Sequence, residues 1–252
     1  IKLGKLNGEY VSSPEDINRL LDQILPLYGQ VFQELQEAGV QWVQLDEPSL
    51  VKIDDDSAIA PYQRVTAYLH EIAPKLNVEL QTYFDSLDTY QAVVDLPVQA
   101  VGLDFVHGNG ENLKSVQQYG FPEDKILAAG IVDGHNIWTA NLQEKLDLAK
   151  TLQSLAPNLW LQPSNSLLHV PITKKYETAA SAALFGGLAF ADEKLQELVT
   201  LTNALNGNQD IDVFEDNKRA LKALKDSEAR NNVDVQAAIK NLSKQQFVRH
   251  SK

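Results

Sequence analysis

Apolar residues in this chain recur at two spacings. Ile17, Leu20, Leu21, Ile24, Tyr28, Val31, Phe32 and Leu35 fall three or four apart, which predicts an amphipathic helix. Ser13-Pro14-Glu15-Asp16 suits its start: a hydroxyl cap, a proline tolerated in the first turn, and acids near the positive end of the dipole. Gly39 suits its end. Pro26 lies mid-pattern and predicts a kink or two abutting helices. From there the spacing changes. Short apolar runs predict strands at 42–46, 77–83, 98–105, 125–132 and 158–162, separated by helical patterns at 60–73, 86–94, 110–119 and 140–155. A long helical region, weakly interrupted at Gly186-Gly187, is expected from about 173 to 205. In such a helix each glycine costs about 1 kcal/mol relative to alanine.

Five strands, each followed by a helix, indicate parallel β/α architecture with right-handed crossovers. Ile1-Lys2-Leu3-Gly4 reads as the remnant of one earlier strand, making six. That is two fewer than a closed (βα)8 barrel needs. Two arrangements fit: an open doubly wound sheet, or a barrel whose first units precede Ile1. A start at Ile1 points to a processed, cut or excerpted chain.

Composition narrows the function classes. A chain of 252 residues, 44% hydrophobic, can bury a substantial core as one large domain or most of one. A net charge of −12 argues against nucleic-acid binding, because no basic stripe exists to neutralise phosphates. No apolar run is long enough to cross a bilayer and no signal peptide is visible, so a cytoplasmic protein is expected. Cysteine is absent, which excludes disulfides, thiolate metal sites and thiol nucleophiles. Methionine is absent too, a pattern that fits either chance or engineering, or economy of sulfur.

Candidate chemistry concentrates where strands end. On 42–46, alternation puts Trp42, Gln44 and Asp46 on one side and Val43, Leu45 and Glu47 on the other. Pro48 then stops the ladder. A barrel strand ending in carboxylates delivers them to a functional rim. Asp46 with Glu47 invites a glycosidase reading. Their opposite directions favour Asp46 bonding within the barrel mouth and Glu47 ordering the next loop. Asp104-Phe-Val-His107 and Asp133-Gly-His135 invite a metal reading, but without ligand spacing such as His-x-x-x-His the expected roles are in loops and turns. His169 is expected to be a hydrogen-bonded structural histidine. Trp42 and Trp160 are expected in the core. Trp138, in a rim loop, is the tryptophan placed to stack a flat ligand. His107-Gly108-Asn109-Gly110 lacks the GxGxxG spacing of a dinucleotide site.

Six segments, in order, resemble the N-terminal half of cobalamin-independent methionine synthase: WVQLDEPSL at 42–50, QTYF at 81–84, LDFVHG at 103–108, GIVDGHNIW at 130–138, QPSNSLLHVP at 162–171, and LAFA at 188–191 with Glu193-Lys194. The resemblance implies two face-to-face (βα)8 barrels born of duplication. The C-terminal one holds a zinc that activates homocysteine to accept a methyl group from methyltetrahydrofolate polyglutamate. This chain would be a partial TIM barrel, from about strand 3 to strand 8 of the N-terminal barrel, over residues 1–205. A helical connector at 206–252 would lead toward the catalytic barrel, the chain's partner within the same protein.

Matching the two repeats with Thr82 as anchor puts Tyr83, Asp85, Asp104 and Asn165 at the zinc-ligand places. These are poor zinc ligands as a set, so no metal and no catalytic residue is expected in this half. Asp46 matches an aspartate that holds the amino-acid substrate in the catalytic repeat, while Lys52 replaces that motif's later glutamate. His135 stands where the family often has arginine. Asp46 and Trp138 are the substrate-binding candidates. The alternative function classes are a self-contained barrel hydrolase using Glu47 with Asp104 or Asp133, and a non-catalytic scaffold module.

Overall fold

The computed structural model describes residues 5–6, 9–10, 13–178, 180–228 and 230–243. A short antiparallel hairpin, β1 (Lys5–Leu6) with β2 (Glu9–Tyr10), leads into α1 (Pro14–Glu37). The strand expected at residues 1–4 lies outside the described residues. Ser13 caps α1 by accepting from the Asp16 amide at 3.1 Å, and Gly39 follows it at φ +83°.

The helix runs unbroken through Pro26, so two abutting helices are not formed. Pro26 faces solvent, where a carbonyl deprived of its helical donor is free to bond water. Leu21, Leu25 and Phe32 keep both halves docked on the opposite side. Gly29 lets α1 approach α2 (Ala60–Ile72): a Cβ there would sit 2.6 Å from the Tyr68 hydroxyl.

Five parallel strands form one sheet in the order β3 (Trp42–Asp46), β4 (Asn77–Gln81), β5 (Ala100–Asp104), β6 (Ile126–Val132), β7 (Leu159–Pro163). The helices α2, α3 (Tyr90–Val94), α4 (Glu111–Tyr119) and α5 (Leu142–Leu155) fill the crossovers. The architecture is α/β with the sheet of a partial TIM barrel, and the barrel is not closed. The 86–94 pattern yields a helix only from Tyr90, because residues 82–89 make the loop that turns out over the rim.

Outward side chains Val43, Leu45, Val78, Leu80, Val101, Leu103, Leu127, Ala129 and Ile131 pack with Leu69, Val93, Val116, Leu146, Leu152 and Leu201 into one hydrophobic core. Inward positions are different: Gln44, Glu79 and Ala100 align, as do Asp46, Gln81, Gly102 and Ala128. Gly102 leaves the space occupied by the Gln81 amide, which a Cβ would meet at 1.9 Å. Trp42 and Trp160, expected in the core, meet each other instead on this concave face, ring centroids 4.7 Å apart and edge to face. Their parity with Gln44 and Gln162 turns them away from the helices.

The long helical region expected at 173–205 is fully broken. A 3-10 turn at Lys174–Tyr176, α6 (Ala182–Gly187) and α7 (Ala191–Leu205) are separated by extended residues. Leu188 bridges Trp138 antiparallel at the break. Beyond 205, α8 (Ile211–Asp226) packs on α6 and α5, and α9 (Val233–Lys240) follows. Gly187 serves this packing, since a Cβ there would lie 2.6 Å from Leu224 Cδ2. The glycine that weakens α6 also lets α8 approach it.

Candidate functional site at the carboxyl rim

All five strands end at one rim, and the loops that follow them are held largely by carboxylates. Asp104 is fully buried at the end of β5. Its Oδ1 accepts from the Val106 and His107 amides at 2.8 and 2.9 Å; its Oδ2 accepts from the Phe84 amide at 3.0 Å and lies 2.8 Å from His107 Nδ1. Asn112 donates to its carbonyl at 2.9 Å. Every strong acceptor direction is taken, which makes Asp104 a fastener between two loops. Phe84, whose amide it holds, sits at φ +78°, a region that costs a non-glycine residue of the order of 1–3 kcal/mol. The result is an aromatic ring 43% exposed on the rim.

Asp133 plays a similar part after β6, accepting from the His135 and Asn136 amides at 2.8 and 3.1 Å. Glu47 caps the 3-10 turn Pro48–Lys52 through the Ser49 amide and hydroxyl, and Ser49 reaches the Tyr62 hydroxyl at 2.8 Å. Burial pushes the Tyr62 hydroxyl up, with Glu47 adding to the effect and Ser49 opposing it. The hydrolase alternative is therefore not favoured. Glu47, Asp104 and Asp133 all bind their own loops, leaving no carboxylate pair free to work as acid and base.

The four zinc-equivalent places do not fit zinc. Asp104 is saturated, Asp85 accepts from the Ser86 amide at 2.9 Å, and Asn165 bonds Ser164 and Ser166. The Tyr83 hydroxyl, whose pKa is raised first by burial and then by Asp46, is a poor ligand as well. Among the described residues no group of three His, Asp or Glu converges as a metal site.

Asp46 is exposed at the end of β3, accepting from Gln44 Nε2 at 2.7 Å. Trp138 is separate from it, half-buried in the β6 loop with the Arg230 guanidinium 5.3 Å from its ring centre. His169, expected to be hydrogen-bonded, is exposed; its ring contacts Phe84 and His135 edge-on, each at 5.8 Å. Ser166 and Leu168 beside it are exposed as well, so its ring meets other rim rings rather than a buried polar partner.

A buried network went unforeseen. Lys194 of α7 is fully buried, and its Nζ donates to the Trp138 carbonyl at 3.0 Å. Burial lowers its pKa, against the raising effect of Glu197 and Asp133. Glu197 accepts from Thr139 Oγ1 at 2.6 Å and the Ala140 amide at 3.0 Å. Asn217 of α8 donates to the Ala140 carbonyl at 2.8 Å. Together α7 and α8 fix the loop that carries Trp138. Lys194 and Glu197, three apart among apolar residues, were the available signal.

A family model described as "Cobalamin-independent synthase, N-terminal domain" matches residues 1–157. The 5-methyltetrahydropteroyltriglutamate–homocysteine methyltransferase of Lactiplantibacillus plantarum is 54% identical over all of this chain and 33% of its own length. Its namesake in Listeria welshimeri is 47% identical over 96% of this chain and 32% of its own, and that of Bacillus subtilis 40% over 94% and 31%. The chain thus spans about a third of the length of the curated relatives it matches. With motifs, open parallel sheet and family match in agreement, the chain belongs to the cobalamin-independent synthase family, within its N-terminal domain.

Proposed function

We propose that this chain is the non-catalytic part of a cytoplasmic methyltransferase that moves a methyl group from methyltetrahydropteroyl polyglutamate to homocysteine, forming methionine. Its own work is to support a catalytic barrel in the same polypeptide and to form one wall of the folate cleft. The names of its relatives support the reaction. One observation supports the division of labour: Glu47, Asp104 and Asp133 are engaged in ordering loops, while Phe84, Ile137, Leu168, Ile172 and Tyr176 stand exposed around them. An apolar rim of this kind suits cover by another folded unit.

In this reading zinc is held by the catalytic barrel. Asp46 and Trp138 are the rim residues placed to touch substrate. Residues 1–205 form the partial barrel and 206–252 lead toward the catalytic unit. Within that segment α8 is docked, whereas α9 exposes Val233, Val235 and Ile239. Metal analysis of the purified chain and a homocysteine methylation assay test the proposal. The expected result is neither stoichiometric zinc nor turnover, with association when the catalytic half is added. Methyl transfer by this chain alone would overturn it.

A further inference from the structure

Among the described residues, the concave face of the sheet holds acids that no basic side chain pairs with. A barrel interior is ordinarily filled by Val, Ile and Leu. Here it presents Gln44 and Asp46 from β3, Glu79 and Gln81 from β4, and Gln162 from β7, beside the Trp42–Trp160 pair. Gln162 donates to Gln81 across strands that are not neighbours, so these groups converge on one interior. Glu79 is only 8% exposed, yet among the described residues its Oε1 has no hydrogen-bond partner. Among the described residues, none of the ion pairs includes Glu79 or Asp46.

A buried carboxylate oxygen without a donor is costly, and a second acid beside it raises the cost. Burial first, then Asp46, pushes the Glu79 carboxyl up, while the Gln162 amide opposes them. A bare cation with planar donors would relieve all of this: it bonds the free oxygen, offsets both acids and lies against indole rings, which attract cations most strongly.

We infer that the interior of this partial barrel receives one basic side chain, arginine by preference, between Glu79, Asp46 and the Trp42–Trp160 pair. Its source is a strand outside this chain that covers the open side between β3 and β7 in the longer polypeptide. Two observations favour that source. Among the described residues both sheet edges are open, and the chain spans a third of the length of its relatives. The inference goes beyond the methyltransferase reading and does not depend on it.

Ethylguanidinium, a mimic of the arginine side chain, is the probe. Titrated into the chain at constant ionic strength, it is expected to change indole emission along a saturable curve. Glu79→Gln should weaken that binding about tenfold or more, as loss of a charged contact does. In the longer polypeptide the strand already fills the place, so the probe should not bind there. In that setting Glu79→Gln should lower the melting temperature, whereas in the isolated chain it should raise it by removing the unpaired acid. No saturable response in the chain, or an equal response in Glu79→Gln, overturns the cation site. Undiminished probe binding by the longer polypeptide, or melting shifts of the same sign in both settings, overturns the strand as its occupant.

Discussion

Asp104 uses both carboxylate oxygens to gather donors from two loops, one of them the strained amide of Phe84. Removing the acceptor strands several donors in a buried place, so Asp104→Ala should lower the unfolding free energy by about 3 kcal/mol or more. Urea denaturation measures this, and a loss under about 1 kcal/mol would contradict the fastening role. This role was legible beforehand: an aspartate three residues before a histidine, just past a strand, suggests a loop fastener as readily as a metal ligand. The direction of Phe84 was not legible, because nothing in QTYF announces a positive φ. Glu79 was within reach. It alternates with Val78 and Leu80, and that parity alone turns it inward.

At the scale of elements, the α6–α8 seam separates two neighbouring glycines. A Cβ on Gly186 would lie 3.7 Å from Ala220, an ordinary contact; one on Gly187 would press into Leu224 at 2.6 Å. Gly186→Ala should therefore raise stability by up to about 1 kcal/mol through helix propensity. Gly187→Ala should lower it by about 1–3 kcal/mol through overpacking. Thermal melts of the two variants should move in opposite directions. Sequence periodicity located every parallel strand because each is a short apolar run bounded by breakers. It merged α6 and α7 because Leu188-Ala189-Phe190 continues the apolar pattern, while the extended backbone there answers a tertiary demand, the bridge to Trp138. The intact passage of α1 through Pro26 has the same origin: packing against α2 overrides a local breaker.

For the molecule as a whole, acidity governs stability. Burial raises the Glu79 and Glu197 carboxyls, so both hold a proton more tightly folded than unfolded. Their contribution grows as pH falls through the folded values toward the ordinary 4.5, and it is smallest at neutral pH and above. Glu193 opposes this at lower pH. Burial pushes it up, but hydrogen bonds from Phe190, Thr173 and Lys174 outweigh that and lower it, so its stabilisation disappears as pH drops below 4.5 through its folded value. With a net charge of −12, mild acidification also relieves self-repulsion. The melting temperature is expected to rise from pH 7 toward pH 5. Replacing Glu79 and Glu197 by Gln should flatten that slope. A melting temperature that falls over this interval in the unsubstituted chain would contradict the assignment.

Trp42 and Trp160 sit on the first and last strands of the parallel sheet, far apart in sequence, and touch only because the sheet curls. Two indoles this close share excitation, which splits their far-ultraviolet circular dichroism into a paired band of opposite signs. Such a couplet has no source in any single βα unit. It should emerge last during refolding, after every intervening strand has docked, and vanish in Trp160→Phe while the backbone signal persists. The curvature of this sheet is thereby written into its optical activity.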